Sequence, residues 1–149
     1  PEKLALAKSL GATHGFLASS PDLRQAVMDA TRGGVDFAFE AAGSLPAVNT
    51  AYELLGRGGT LISSGLPDPT AKYAYAHAPL VSDEKSIRGS YMGSCDPKRD
   101  VPRYLDLFLA GRLPVDRLRS GDIGFGQINE AFDALAAGTI VRETLRPNL

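Results

Sequence analysis

The chemistry this sequence can offer sits at the ends of two short apolar runs. Val35-Asp36-Phe37-Ala38-Phe39-Glu40-Ala41-Ala42-Gly43 and Thr60-Leu61-Ile62-Ser63-Ser64-Gly65-Leu66-Pro67 each read as a buried strand that closes on a glycine. Strand ends of an open parallel sheet present backbone donors and acceptors to a ligand, and glycine lets that ligand approach closely. Glu40 is an acid inside an apolar strand, a placement that is costly unless the carboxylate is hydrogen-bonded. It is therefore expected to be a structural acid that accepts from backbone amides or a helix start, with a functional role as the alternative. Other reactive side chains are dispersed. His14, His77 and Cys95 lack the spacing of a tetrahedral metal site, and nothing beside Cys95 marks it as a nucleophile. Gly124-Phe125-Gly126 lacks the third glycine of a phosphate loop and follows no convincing strand. No catalytic residue and no metal ligand is assigned within the chain.

The elements that must position these ends follow from periodicity and punctuation. Between the two strands, Ser44 can cap a helix whose apolar positions Val48, Ala51, Tyr52 and Leu55 share one side, and Gly56 stops it. Upstream, Glu2 to Leu10 is a helix with Leu4, Leu6, Ala7 and Leu10 on its packing side. His14 to Ala18 is a strand candidate, and Ser20-Pro21-Asp22 starts a helix that Gly33-Gly34 ends. Downstream, Lys72 to Ala76 is either a loop or an exposed extended stretch, and Ser86 to Gly93 is a further parallel strand. A helix from about Val101 to Ala110 is capped by Asp100, with Tyr104, Leu105, Phe108 and Leu109 inward. Leu113 to Gly124 is a connector, Gln127 to Ala137 the last helix, and Thr139 to Leu145 a terminal strand.

Composition excludes some functions. Sixteen basic and seventeen acidic side chains leave a net charge of −1, without the concentrated positive field that nucleic acid or anionic lipid requires. No apolar run approaches the roughly 20 residues that span a bilayer, so neither nucleic acid nor membrane is an expected partner. The chain's 149 residues, 44% of them hydrophobic, suffice for one ordinary domain. The single cysteine, Cys95, precludes an internal disulfide and points to a reducing, cytoplasmic setting.

Several segments, in order and at matching distances, resemble the C-terminal portion of zinc-dependent medium-chain alcohol dehydrogenases. They are Pro1-Glu2-Lys3-Leu4 to Leu10-Gly11-Ala12, Gly33-Gly34-Val35-Asp36, Phe39 to Gly43, Gly58-Gly59-Thr60 to Pro67, Lys85 to Gly93, Ile128 to Phe132, and Gly138 to Arg142. The resemblance implies an α/β fold: an incomplete Rossmann-type parallel sheet with flanking helices, lacking its first two strands, plus a C-terminal helix and strand. Residues 1–111 would form a partial dinucleotide-binding domain and 112–149 a return segment contacting an absent catalytic domain. Roughly 180 to 200 residues would precede Pro1, the size of one further domain plus half a sheet. Those residues would carry the glycine-rich loop, the ribose-binding acid and the ligands of the catalytic zinc.

The same resemblance implies the cofactor-binding residues. Lys3 would reach the adenosine ribose, Ala41 and Ala42 would border the adenine and ribose, and Ser64, Gly65 and Leu66 would pass under the nicotinamide. Backbone groups of Ser90, Tyr91 and Met92 would fix the carboxamide, and Arg142 would pair with the pyrophosphate. Taken without the family, Lys3 and Arg142 read as surface charges, and Gly43 and Gly65 as turn residues. The implied activity is hydride transfer between a small alcohol or aldehyde and NAD(H), with NADP(H) not excluded and the isolated chain inactive. A zinc-free quinone or enoyl reductase of the same superfamily and a non-catalytic binding module are the alternatives. The stretch near Lys72 to Ala76 would pair with its copy in a homo-oligomer. Two departures stand out: Ser63-Ser64 replaces the usual pair of branched apolar residues, and Gly124 to Gln127 lacks the usual acid before the last helix.

Overall fold

In the computed structural model, residues 2–148 are described, so Pro1 of the amino-terminal motif lies outside the described residues. The chain divides into two compact units, residues 14–95 and residues 1–13 together with 96–149.

The first unit is built on three parallel strands in the order β1 (Val35–Glu40), β2 (Leu55–Ser63) and β3 (Ser86–Gly89). Helix α2 (Leu23–Thr31) precedes β1, α3 (Leu45–Glu53) connects β1 to β2, and α4 (His77–Ser82) precedes β3. Ser44 starts α3 as expected: its Oγ accepts from the Ala47 N–H, and Pro46 occupies the first turn, where a missing N–H is harmless. The core lies under α3, where Val48, Tyr52, Leu55 and the fully buried Leu61 pack with Val35, Ala38 and Leu80.

Strand β2 begins earlier than expected. Leu55 pairs with Val35, but Phe37 pairs with Thr60, so Gly56-Arg57-Gly58-Gly59 is a bulge within the strand rather than a turn before it. A Cβ on Gly34 would lie 2.4 Å from the Gly56 nitrogen, which excludes a side chain there.

Other expectations in this unit are corrected. His14 to Ala18 forms no strand: a strand needs a ladder partner, and among the described residues none lies beside this stretch. The rings of His14 and Phe16 stack within it at 6.2 Å. The helix after Ser20-Pro21-Asp22 starts at Leu23 without a side-chain cap. The last strand stops at Gly89 and gives way to a tight turn over Tyr91–Ser94. Lys72 to Ala76 is irregular, with Tyr73 turned against the core and the Tyr52 hydroxyl donating to the Ala76 carbonyl. Strand β1 is not covered on both faces. Ala38 and Glu40 face α3 and the β2 end, whereas Phe37 and Phe39 are 62% and 72% exposed.

The second unit contains α1 (Glu2–Ser9), α5 (Pro97–Leu109), β4 (Gly121–Ile123), α6 (Ile128–Ala136) and β5 (Glu143–Leu145). Strands β4 and β5 form a parallel pair, so the expected connector holds a short strand and the expected terminal strand narrows to three residues. Helix α5 begins at Pro97, four residues before the expected start. Asp96 is its cap and accepts from the Lys98 N–H, while Asp100, expected as the cap, lies in the first turn and accepts from the Asp96 N–H. Tyr104, Leu105 and Leu109 of α5, expected to point inward, are exposed in the chain, and Phe108 is partly so; Phe132 and Leu135 of α6 are exposed as well. The Arg117 guanidinium donates to the Ser9 carbonyl at the end of α1, where a helix carries partial negative charge.

Candidate functional site

The carboxyl ends of β1, β2 and β3 lie side by side, and main-chain hydrogen bonds continue the ladder past the strands. The Glu40 carbonyl accepts from the N–H groups of Ser64 and Gly65 at 2.8 and 3.2 Å, and from the Ser64 Oγ at 3.0 Å. The Ser90 N–H donates to the Ser63 carbonyl at 2.9 Å. Of the sequence-derived candidates, the structure therefore brings Ala41, Ala42, Ser64, Gly65, Leu66 and Ser90 to one edge of the sheet, with Tyr91 and Met92 immediately after.

Two glycines make this edge possible. Gly43 has φ +68°, and a Cβ on it would lie 2.7 Å from the Leu66 carbonyl oxygen. A Cβ on Gly65 would lie 2.1 Å from the Gly43 nitrogen. The loops after β1 and β2 thus press backbone on backbone, and only hydrogen fits between them. Among the described residues, the N–H groups of Ala42 and Leu66 at this edge take part in no hydrogen bond, leaving two donors for a ligand.

Beyond β3 the backbone enters the left-handed region at three successive residues, Met92 (φ 49°), Gly93 (φ 68°) and Ser94 (φ 56°). Only Gly93 adopts it without cost, and the Ser90 and Ser94 hydroxyls, 3.0 Å apart, close the turn. Ser63, Ser94 and Gly43 are thus parts of the edge that sequence reasoning did not assign. The glycine at 93 was the one available signal for the turn.

Lys3 and Arg142 belong to the other unit. Lys3 Nζ lies 3.6 Å from where a Cβ of Gly138 would sit, and Lys3 lines a cleft of about 220 Å³ with Ser120, Thr139, Ile140 and Val141. Arg142 is exposed, with its backbone tied to Ser120: its N–H donates to the Ser120 Oγ, and its carbonyl accepts from the Ser120 N–H.

Electrostatics elsewhere is structural. The Arg99 guanidinium, then the Asp96 N–H, hold the Asp100 carboxyl well below the usual carboxylate range. Burial pushes the Tyr52 and Tyr73 hydroxyls above their ordinary value. Lys85 lies over the Tyr52 ring at 5.2 Å and pairs with Asp83 at 3.8 Å. Among the described residues, no three His, Cys, Asp or Glu side chains converge as a metal set.

A parallel sheet with helical crossovers and an open carboxyl edge places the inner unit in the doubly wound, Rossmann-type class of α/β proteins. The sequence profile described as zinc-binding dehydrogenase matches residues 1–110, and the chain belongs to that family. The geraniol dehydrogenase of Castellaniella defragrans is 36% identical over 142 residues, which cover 95% of this chain and 38% of that enzyme. The crystal structure of benzyl alcohol dehydrogenase from Acinetobacter calcoaceticus matches 97% of this chain and 40% of its own, at 30% identity and a TM-score of 0.89. A zinc-binding dehydrogenase from Sinorhizobium meliloti bound to NADP matches 98% of this chain and 42% of its own, at 27% identity and a TM-score of 0.81. The fold is thus the expected incomplete Rossmann-type α/β arrangement, and the chain spans about two fifths of the length of these relatives.

Proposed function

We propose that this chain is the part of an alcohol dehydrogenase that orients a nicotinamide dinucleotide for hydride transfer to or from an alcohol or aldehyde. The observation that carries the proposal is the ordered edge formed by Ala41–Gly43, Ser63–Leu66 and Ser90, which presents main-chain groups in one row with free donors at Ala42 and Leu66. Ala41 and Ala42 border the adenine and its ribose, Ser64 to Leu66 underlie the nicotinamide, and Ser90 to Met92 fix its carboxamide. Lys3 takes the ribose role and Arg142 the pyrophosphate role, for which a guanidinium is well matched. NAD(H) is the default cofactor and NADP(H) the variant. When bound, the nicotinamide ring takes up or returns the hydride.

The residues present do not fit a catalytic zinc, since no converging ligand set exists among those described, and no step of this proposal passes through a metal. In the proposed organisation residues 1–111 are a partial cofactor domain, residues 112–149 contact a catalytic domain outside this chain, and the Lys72–Ala76 stretch meets its copy in a homo-oligomer.

Saturation-transfer NMR of residues 1–149 with NADH tests the proposal. Transfer to the nicotinamide and adenine protons is expected, with no alcohol oxidation by the isolated chain. Absence of transfer would overturn the cofactor role, and turnover without an added partner would overturn the division of labour.

A further inference from the structure

Two acids are buried among the described residues, and they are stabilised in different ways. Asp100 has Arg99 and Arg103 beside it. Glu40, only 3% exposed, has no cation paired with it among the described residues. Its Oε1 accepts from the Gly43 N–H at 2.7 Å, and its Oε2 accepts from the Ser63 Oγ at 3.2 Å. Its main-chain oxygen accepts from Ser64 N, Gly65 N and Ser64 Oγ. Five donors thus converge on one residue: one from Gly43 in the turn after β1, one from Ser63 at the end of β2, and three from Ser64 and Gly65 in the loop that follows.

We infer that Glu40 is a positioning residue: it clasps the turn after β1 to the end of β2, so that Ala41–Ala42 and Ser64–Leu66 present one preformed surface to the dinucleotide. The inference rests on the cofactor reading above. Its physical content is pre-organisation. A ligand that meets loops already fixed does not have to order them on binding, whereas loops released from each other must be re-ordered at the expense of affinity. The carboxylate packs directly against this contact, since a Cβ on Gly65 would also lie 3.0 Å from Oε2.

The isosteric pair Glu40→Gln and Glu40→Met separates hydrogen bonding from volume. Gln can still accept from Gly43 and donate to the Ser63 hydroxyl, whereas Met leaves both donors unpaired. Two readouts are taken on residues 1–149: amide exchange at Gly43, Ser64 and Gly65 against that at Leu61, and NADH affinity by titration. Glu40→Met is expected to speed exchange at the clasp and weaken NADH binding about tenfold each, with Leu61 little changed, and Glu40→Gln to stay within about threefold on both. Ser63→Ala, which removes one tie, is expected to shift both in the same direction by about threefold and keeps the test decisive if Glu40→Met does not fold. Unchanged exchange at the clasp in the folded variants overturns the inference, as does faster exchange with unchanged affinity. Failure of the unaltered chain to bind NADH would overturn the cofactor reading, whereas equal binding by all four proteins would overturn only the role of Glu40.

Discussion

Gly43 and Gly65 are packed so that a Cβ on Gly65 would fall 2.1 Å from the Gly43 nitrogen, a separation no real side chain tolerates. The contact joins the loops that follow the first two strands, and everything proposed for the ligand-facing edge depends on it. Gly65→Ala is expected to lower the free energy of unfolding by about 2–4 kcal/mol, because the added methyl must push one backbone away from the other. Urea denaturation measures this, and a loss under about 0.5 kcal/mol would show that the two loops separate freely.

Exposed phenylalanines predict a solution property. Phe37 and Phe39 project from β1, and β1 is an edge of its sheet. An edge strand with large exposed apolar side chains pairs readily with another copy. The isolated chain is expected to self-associate with rising concentration, and the double change Phe37→Thr and Phe39→Lys to suppress this. Light scattering across a dilution series distinguishes the two, and equal scattering would show that other surfaces drive association.

The carboxylate of Asp100 predicts a pH dependence. Its pKa is lowered in the folded chain by Arg99 and the Asp96 N–H, so the ionised form is favoured by folding. That stabilisation is complete above the ordinary aspartate pKa of about 4 and is lost as pH falls through this value toward the lower folded pKa. Asp100→Asn is therefore expected to be less stable than the unaltered chain at pH 7 and to narrow the difference at pH 3. Parallel denaturation curves at the two pH values would contradict this if the gap stayed constant.

Arg142 predicts a salt-dependent contribution to binding. If it meets the pyrophosphate, Arg142→Ala weakens NADH binding about tenfold at low salt, and Arg142→Lys recovers part of the loss through its charge alone. Titrations at low and high ionic strength read both effects, and identical affinities would remove Arg142 from the site.

Local signals carried the elements that depend on local physics. Ser44 followed by an apolar period announced α3, and the apolar runs announced β1 and β2. Asp96-Pro97 carried the real start of α5, but the charged Lys98-Arg99 hid it, and Asp100 was a decoy that serves the first turn instead. Pairings set at long range were less legible. Gly121–Ile123 is a strand only because Glu143–Leu145 lies beside it, whereas among the described residues no strand runs beside residues 14–18. The exposure of Phe37 and Phe39 was invisible for the same reason, since an apolar residue does not reveal whether its cover is present. At the candidate site, the oddity of Glu40 was readable, but its partner Ser63 and the hydroxyl pair of Ser90 and Ser94 emerge only once three strand ends are set side by side.

The division of the chain into residues 14–95 and the two flanking stretches has a kinetic consequence. Within the inner stretch each strand pairs with the next one along the chain, so the sequence separations to be closed are smaller than those of the outer unit. The outer unit joins Ser9 to Arg117 and Lys3 to the neighbourhood of Gly138, contacts more than a hundred residues apart. As the chain leaves the ribosome, the sheet that bears Glu40 can therefore form before the segment that bears Arg142 has been synthesised.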